Sequence, residues 1–237
     1  MHVPDGVLPF WMYVLFLAIS IPILGFAIRK VNNRFNDRLT PYMGVLAAVI
    51  FAAQLVNFPV PPSSGHLVGT TLLAVMLGPW AAMVIMALVL FVQALYGDGG
   101  LLAFGLNFFN MGILGSFLGW GISLMLFKGL KRIRDEKSAV VVATPIAAFI
   151  VTIVSAFVLG LELLTIPGLS FEFVFIITGI HGIIAVGEAI LTFVILLYFV
   201  KAKPGLISFL KDSETGKAVR RRDAKREESI IVEEAQQ

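Results

Sequence analysis

The chain contains no cysteine. That absence excludes disulfides, thiolate nucleophiles, iron–sulfur clusters and thiolate zinc sites together. Any transition-metal chemistry must therefore use imidazole, carboxylate, thioether or backbone groups. Charge is scarce too, at 14% of residues, where a soluble domain carries roughly a quarter. The Gly-x4-Gly-Lys-Ser/Thr pattern that cradles nucleotide phosphates is missing, which excludes the usual machinery of ATP hydrolysis. Met1–Phe10 holds no Lys or Arg, although a secretory leader opens with such residues. What remains is largely apolar: 58% of 237 residues are hydrophobic, 20 of them Phe, and the mean hydropathy is +0.93. This is the composition of a bilayer protein.

A helix rises 1.5 Å per residue, so crossing a ~30 Å hydrocarbon core takes about 20 apolar residues and leaves no room for a separate soluble catalytic domain. Apolar runs lie at Leu8–Ile28, Pro41–Phe58, Leu67–Tyr96, Leu101–Phe127, Ala139–Leu163 and Phe173–Val200. The third is the longest and is interrupted at Gly78-Pro79. If it crosses twice, all 18 Lys and Arg fall on one side, in groups of 4 after the first span, 5 after the fifth and 9 in the tail. Such one-sided basic charge marks the cytoplasm. The sequence thus predicts an all-α integral membrane protein with seven transmembrane helices, its N-terminus outside and its C-terminus cytoplasmic. Residues 1–200 form the membrane domain and 201–237 a solvated basic tail, whose Arg220-Arg221-Arg222 run needs no nucleic-acid partner.

In this topology Leu67–Leu77 reaches only about half-way across, so its helix starts inside the membrane. The preceding Pro59–Gly65 cannot form a regular helix and is expected to enter as irregular backbone lining a cavity, with His66 at the junction.

The three histidines, His2, His66 and His181, all fall in the outer half. A lone buried imidazole is ordinarily a packing residue, but His2 has a special neighbour. The free α-amine of residue 1, the amide of residue 2 and the imidazole of residue 2 can close five- and six-membered chelate rings around one ion. A further imidazole completes a four-nitrogen plane, which suits Ni(II) or Cu(II); imidazole also suits Co(II). Val3-Pro4-Asp5-Gly6 reads as a turn that folds segment 1–7 back over the bundle mouth. The alternative is a frayed terminus.

Met1-His2-Val3-Pro4-Asp5-Gly6, Pro61-Pro62-Ser63-Ser64-Gly65-His66-Leu67-Val68-Gly69, Gln93–Gly100 followed by Leu106–Gly112, and His181-Gly182-Ile183 leading to Gly187-Glu188-Ala189 together resemble the CbiM/NikM group. These are substrate-capture (S) components of energy-coupling factor transporters for cobalt and nickel. The resemblance implies a six-helix S-component bundle plus an extra N-terminal helix. It implies a metal held by the Met1 amine, the His2 amide and imidazole, and His66. It also implies a multi-pass cell-membrane protein that is not itself an enzyme and carries no organic cofactor. Its partners would be a transmembrane coupling subunit, two ATPase subunits and often a small auxiliary membrane protein. Ni2+ and Co2+ both remain open as cargo, nitrogen-only planar ligation favouring nickel. Many relatives carry a Gly/Thr-rich turn where this chain has Pro62-Ser63-Ser64.

Ser64, Gln93, Asp98, Asn107, Asn110 and His181 are candidates to support the ligands; the alternative for the amides is hydrogen bonding within a Gly-rich turn. Asp5, Asp98, Glu162 and Glu172 give an acidic outer face. Gly44, Ala48 and Ala52 form a small-residue stripe, either packed within the bundle or, as in S components, with Ala48 and Ala52 against the coupling subunit. Glu188, seven residues after His181 on the same helical face, offers a rival reading as a proton-coupled cation carrier. That class usually shows two related halves, which this sequence lacks. A non-transporting membrane scaffold is a third reading and predicts no metal affinity.

Overall fold

The computed structural model describes residues 1–33 and 39–211; the Arg220–Arg222 run lies outside them. Helices are α1 (Phe10–Asn32), α2 (Leu39–Gln54), α3 (Thr70–Leu77), α4 (Pro79–Leu95), α5 (Phe104–Phe108), α6 (Gly115–Leu130), α7 (Glu136–Leu163), α8 (Phe171–Ala202) and α9 (Ser208–Lys211). A π-helical turn, Phe109–Leu114, joins α5 to α6 into one continuous stretch. Among the described residues, four stretches are long and apolar enough to cross a bilayer: α1, Phe104–Leu130, α7 and α8. Of the remaining helices, α2, α3 and α4 have 16, 8 and 17 residues and α9 has 4.

The break expected at Gly78-Pro79 is present. Gly78 has φ 91 and Pro79 is the first residue of α4, where its missing N–H costs nothing and its fixed φ suits a helix start. Every residue from Thr70 to Met76 is buried, so α3 is the central post of the bundle, as expected for a helix apolar all round. It packs on α6, α4 and α7. In α2, Met43, Leu46, Ile50 and Gln54 turn inward at helical spacing, while Gly44, Ala48 and Ala52 are exposed. The small-residue stripe therefore does not pack inside the chain's own bundle.

Two expectations need correction. Residues 57–66 are not irregular: Asn57–Val60 (β1) and Ser63–His66 (β2) form an antiparallel hairpin, with Asn57 opposite His66 and Val60 opposite Ser63. Pro61 and Pro62 occupy its turn, and Pro59 is tolerated because a two-strand ribbon has free edges. The polar tail does not begin at residue 201 either. After Ala202 the chain turns through Pro204–Leu206 into α9 and returns to the bundle. Ile207 and Leu210 are fully buried there, Phe209 packs edge-on against Trp120, and the Tyr42 hydroxyl donates to the Leu206 carbonyl.

Candidate metal centre

The amino terminus is not frayed. Met1, His2 and Val3 are 1%, 2% and 0% exposed, held by bonds that reach far along the chain. The Val3 N–H donates to Asn107 Oδ1 at 2.8 Å, and Asn107 Nδ2 donates back to the Val3 carbonyl at 3.0 Å. The His2 carbonyl accepts from Ser63 Oγ at 2.8 Å and from the Ser64 amide at 3.2 Å. The His2 amide donates to Ser64 Oγ at 3.3 Å. Asp5 accepts from the Ala103 amide at 2.9 Å. The segment lies flat on the Gly99-Gly100 turn: a β-carbon at Gly100 would overlap Asp5, so the glycine there is a steric necessity.

This docking brings the His2 ring beside His66, with centroids 4.5 Å apart and planes tilted by 36°. His66 ends β2 and is wholly buried. Its Nδ1 donates to the Leu67 carbonyl at 2.7 Å, which leaves a lone pair on Nε2. His2 Nδ1 lies 3.0 Å from Asp98 Oδ1, and Asp98 is held in turn by Asn57 Nδ2 at 2.9 Å. Both Nε2 atoms are buried and make no hydrogen bond. Buried polar atoms without partners are uncommon and call for an explanation; a cation beside His66 would supply one for its Nε2.

The α-amine is buried as well. Burial pushes its pKa down from 8.0 to about 4, against the opposing pull of the Asp98 charge, so at neutral pH it is an uncharged donor. For Asp98, partial burial works upward, but the His2 hydrogen bond with the nearby charges and the Asn57 bond outweigh it and lower the pKa. A carboxylate is thereby kept beside the pocket. Among the described residues no group of three His, Asp or Glu side chains gathers as a metal cluster. The nitrogens gathered here are two imidazoles and backbone groups of the first two residues. Because His2 Nδ1 is turned to Asp98, closing the six-membered chelate requires that ring to rotate about Cβ–Cγ.

The family described as "Cobalt uptake substrate-specific transmembrane region", CbiM, matches residues 2–206. The chain belongs to the CbiM family. It is 33% identical to a candidate fused nickel transport protein, NikMN, of Archaeoglobus fulgidus, over 87% of this chain and 68% of that one. It is 36% identical to the cobalt transport protein CbiM of Geobacter sulfurreducens over 56% of this chain and 39% of that one. A crystal structure of a truncated transition metal transporter superposes with a TM-score of 0.74 at 30% identity, covering 85% of this chain and 99% of that one. With its several apolar spanning helices, this CbiM relative is a multi-pass membrane protein and a component of cobalt or nickel transport.

The other expected residues divide. Ser64, Asp98 and Asn107 touch the docked terminus. Asn110 does not: its Nδ2 donates to Glu162 Oε2 at 2.6 Å, on α7, so Glu162 is engaged inside the bundle and adds little to an acidic mouth. Gln93 is buried and its side chain makes no hydrogen bond. His181 is buried, its Nδ1 donating to the Ile177 carbonyl one turn back at 2.8 Å, and a β-carbon on Gly65 would stand 3.7 Å from its Nε2. His181 and Glu188 make no hydrogen bond to each other, since Glu188 accepts from the Val68 and Gly69 amides. The sequence reading missed Ser63 and Asn57, which hold the His2 carbonyl and Asp98. Their signal, a hydroxyl and an amide at either end of a Pro-interrupted stretch, is too weak to stand out.

Proposed function

We propose that this chain is the membrane-embedded substrate-binding component of an ATP-driven energy-coupling factor importer for nickel or cobalt. The observation that supports it best is the buried His66 imidazole, its Nε2 unpaired and its ring centroid 4.5 Å from that of His2 at a buried amino terminus. The cargo is bound by the Met1 amine, the His2 amide and imidazole, and His66 Nε2, a nitrogen set matched to Ni(II) or Co(II). The seven helical stretches are seven crossings, with the metal site on the outer side and Lys128–Lys137 in the cytoplasm of the cell. Energy comes from two ATPase subunits through a transmembrane coupling subunit, which meets the outward-facing Ala48 and Ala52 of α2; a small auxiliary membrane subunit accompanies them.

Calorimetry of the purified chain with Ni2+ and Co2+ in competition tests the reading. Extending the chain before Met1 converts the amine to an amide and forces a residue into a site where Met1 is 1% exposed. Nickel binding is expected to fall more than about 100-fold, beyond the 10–100-fold typical of supporting residues, whereas a tag after residue 237 leaves it unchanged. Full affinity in the extended protein would eliminate the amine as a ligand.

A further inference from the structure

Glu188 lies in the middle of α8 and is 2% exposed. An ionisable group at that depth is costly and calls for a reason. Oε2 accepts the Val68 N–H at 2.8 Å and Oε1 the Gly69 N–H at 2.6 Å. These two amides follow His66-Leu67 directly and precede α3. The carboxylate thus stands where the partial positive charge of a helix start favours an anion, in short charge-assisted bonds.

Gln54 of α2 holds the other side of this turn, its Nε2 donating to the Val68 carbonyl at 2.7 Å, so Glu188 is the partner of its N–H groups. Gly69 has φ 74, and a β-carbon there would overlap Ile50, so no side chain is available at that position to tie the turn. Next to Glu188, Gly187 lets α8 approach closely: a β-carbon on it would lie 3.3 Å from Leu67 Cδ2. The Leu67 carbonyl is the group that accepts His66 Nδ1–H. A continuous path therefore runs from Glu188 through the Val68 and Gly69 amides to the Leu67 carbonyl and the imidazole. Glu188 also lines, with Met1, Thr70 and Thr152, a cavity of about 10 Å³ beneath the amino terminus.

We infer that Glu188 is the positioning residue of the metal site: by clamping the Val68 and Gly69 amides it aims His66 Nε2 at the ion. The inference rests on the ligand set proposed above and deepens it. Glu188→Gln presents one carbonyl and one NH2 to two N–H donors, so one amide loses its acceptor and faces another donor. Glu188→Asp keeps two oxygens on a shorter stem.

The test uses the full chain in detergent, with Ni2+ calorimetry and the d–d absorption of the bound ion as readouts. Glu188→Gln is expected to weaken binding about 10–100-fold, the cost of losing a residue that orients a ligand, and to shift the d–d band as His66 leaves its place. Glu188→Asp should recover part of both. Thr192→Val, one turn along α8 at another buried side chain, should leave affinity and band at the native values whatever happens to Tm. Native affinity and band in Glu188→Gln would overturn the inference, as would an affinity loss shared by Thr192→Val with the band unmoved. If Glu188→Gln does not fold, Glu188→Asp decides: weaker binding with a shifted band supports the inference, and native values refute it. His66→Ala separates the two readings. Retained binding in that variant removes the ligand set itself, whereas its loss beside unchanged Glu188 variants removes only the role of Glu188.

Discussion

Asn107→Leu isolates the docking of the amino terminus from the chemistry of the ligands. Asn107 is 3% exposed and satisfies both the N–H and the carbonyl of Val3, at 2.8 and 3.0 Å. Leucine has a similar volume and no polar atom, so the substitution leaves two buried backbone groups without partners while His2 and His66 stay chemically intact. Each orphaned group costs about 1–3 kcal/mol, which sets the docked segment back by roughly 2–6 kcal/mol. At about 1.4 kcal/mol per factor of ten, the docking equilibrium shifts some 30-fold to 10⁴-fold. The Val3 amide reports the whole shift as lost protection from hydrogen exchange. The apparent Ni2+ affinity, measured calorimetrically, reports the part that exceeds the segment's own docking stability, and about tenfold or more is expected there. Asn110→Leu is the control, since Asn110 lies one turn on and holds Glu162; it should leave affinity unchanged. Affinity within about threefold of native for Asn107→Leu, with Val3 protection intact, would refute the claim that docking builds the site.

His2→Ala and His66→Ala are each expected to abolish high-affinity binding in the same titration. His181→Ala should cost less than tenfold, because that ring lies on α8 outside the proposed ligand set, with Gly65 between it and the amino terminus. The terminus should also respond to pH. The docked amine has its pKa lowered to about 4 against 8.0 when free, so between these values the undocked state binds the extra proton and docking weakens as pH falls, by up to about 1.4 kcal/mol per unit. The protection factor of the Val3 amide should drop up to tenfold per unit from pH 8 to 5; a pH-independent value would contradict the buried neutral amine. The assembled transporter should hydrolyse ATP while the purified chain does not, and activity of the isolated chain would contradict the missing nucleotide motif.

The parts of the candidate site that follow from covalent proximity were legible in the sequence. Met1 and His2 are adjacent, so their joint chelating capacity needs no tertiary information, and His66 stood out as an imidazole at a helix start. Helices were legible wherever an apolar run was long, and Gly78-Pro79 announced the break between α3 and α4. Partnerships across the bundle were not. Asn107 and Asn110 are three residues apart and read as one cluster, but the π-helical turn from Phe109 comes between them, and they reach the terminus and α7 respectively. The hairpin was hidden because three prolines in 57–66 read as breakers, whereas the strands need only the register set by Val60 and Ser63. Ile207 and Leu210 were hidden differently. Lys201, Lys203 and Lys211 surround them in a short window, and only the packed surface of α3 and α7 shows where such an isolated apolar pair belongs.

Burial of the first three residues ties capture to closure. With Met1 and His2 almost inaccessible, the proposed ligand set would require the terminus to lift before an ion reaches the amine. Lifted, the amine, amide and His2 ring can grip an ion on their own, because their chelate rings are local. His66 cannot take part until the segment returns, since its position is fixed by β2 and the turn after it. On closing, an ion held by the proposed ligand set would gain its fourth nitrogen from His66, the His2 ring would give up its Nδ1 contact with Asp98, and the carboxylate would stay close enough to offset the positive charge. The hydrogen bonds from Asn107, Ser63 and Ser64 would then act on retention as well as geometry, since release would need the segment to lift against them. Dissociation is therefore the rate that docking variants should change most, while the charge of Asp98 acts mainly on capture.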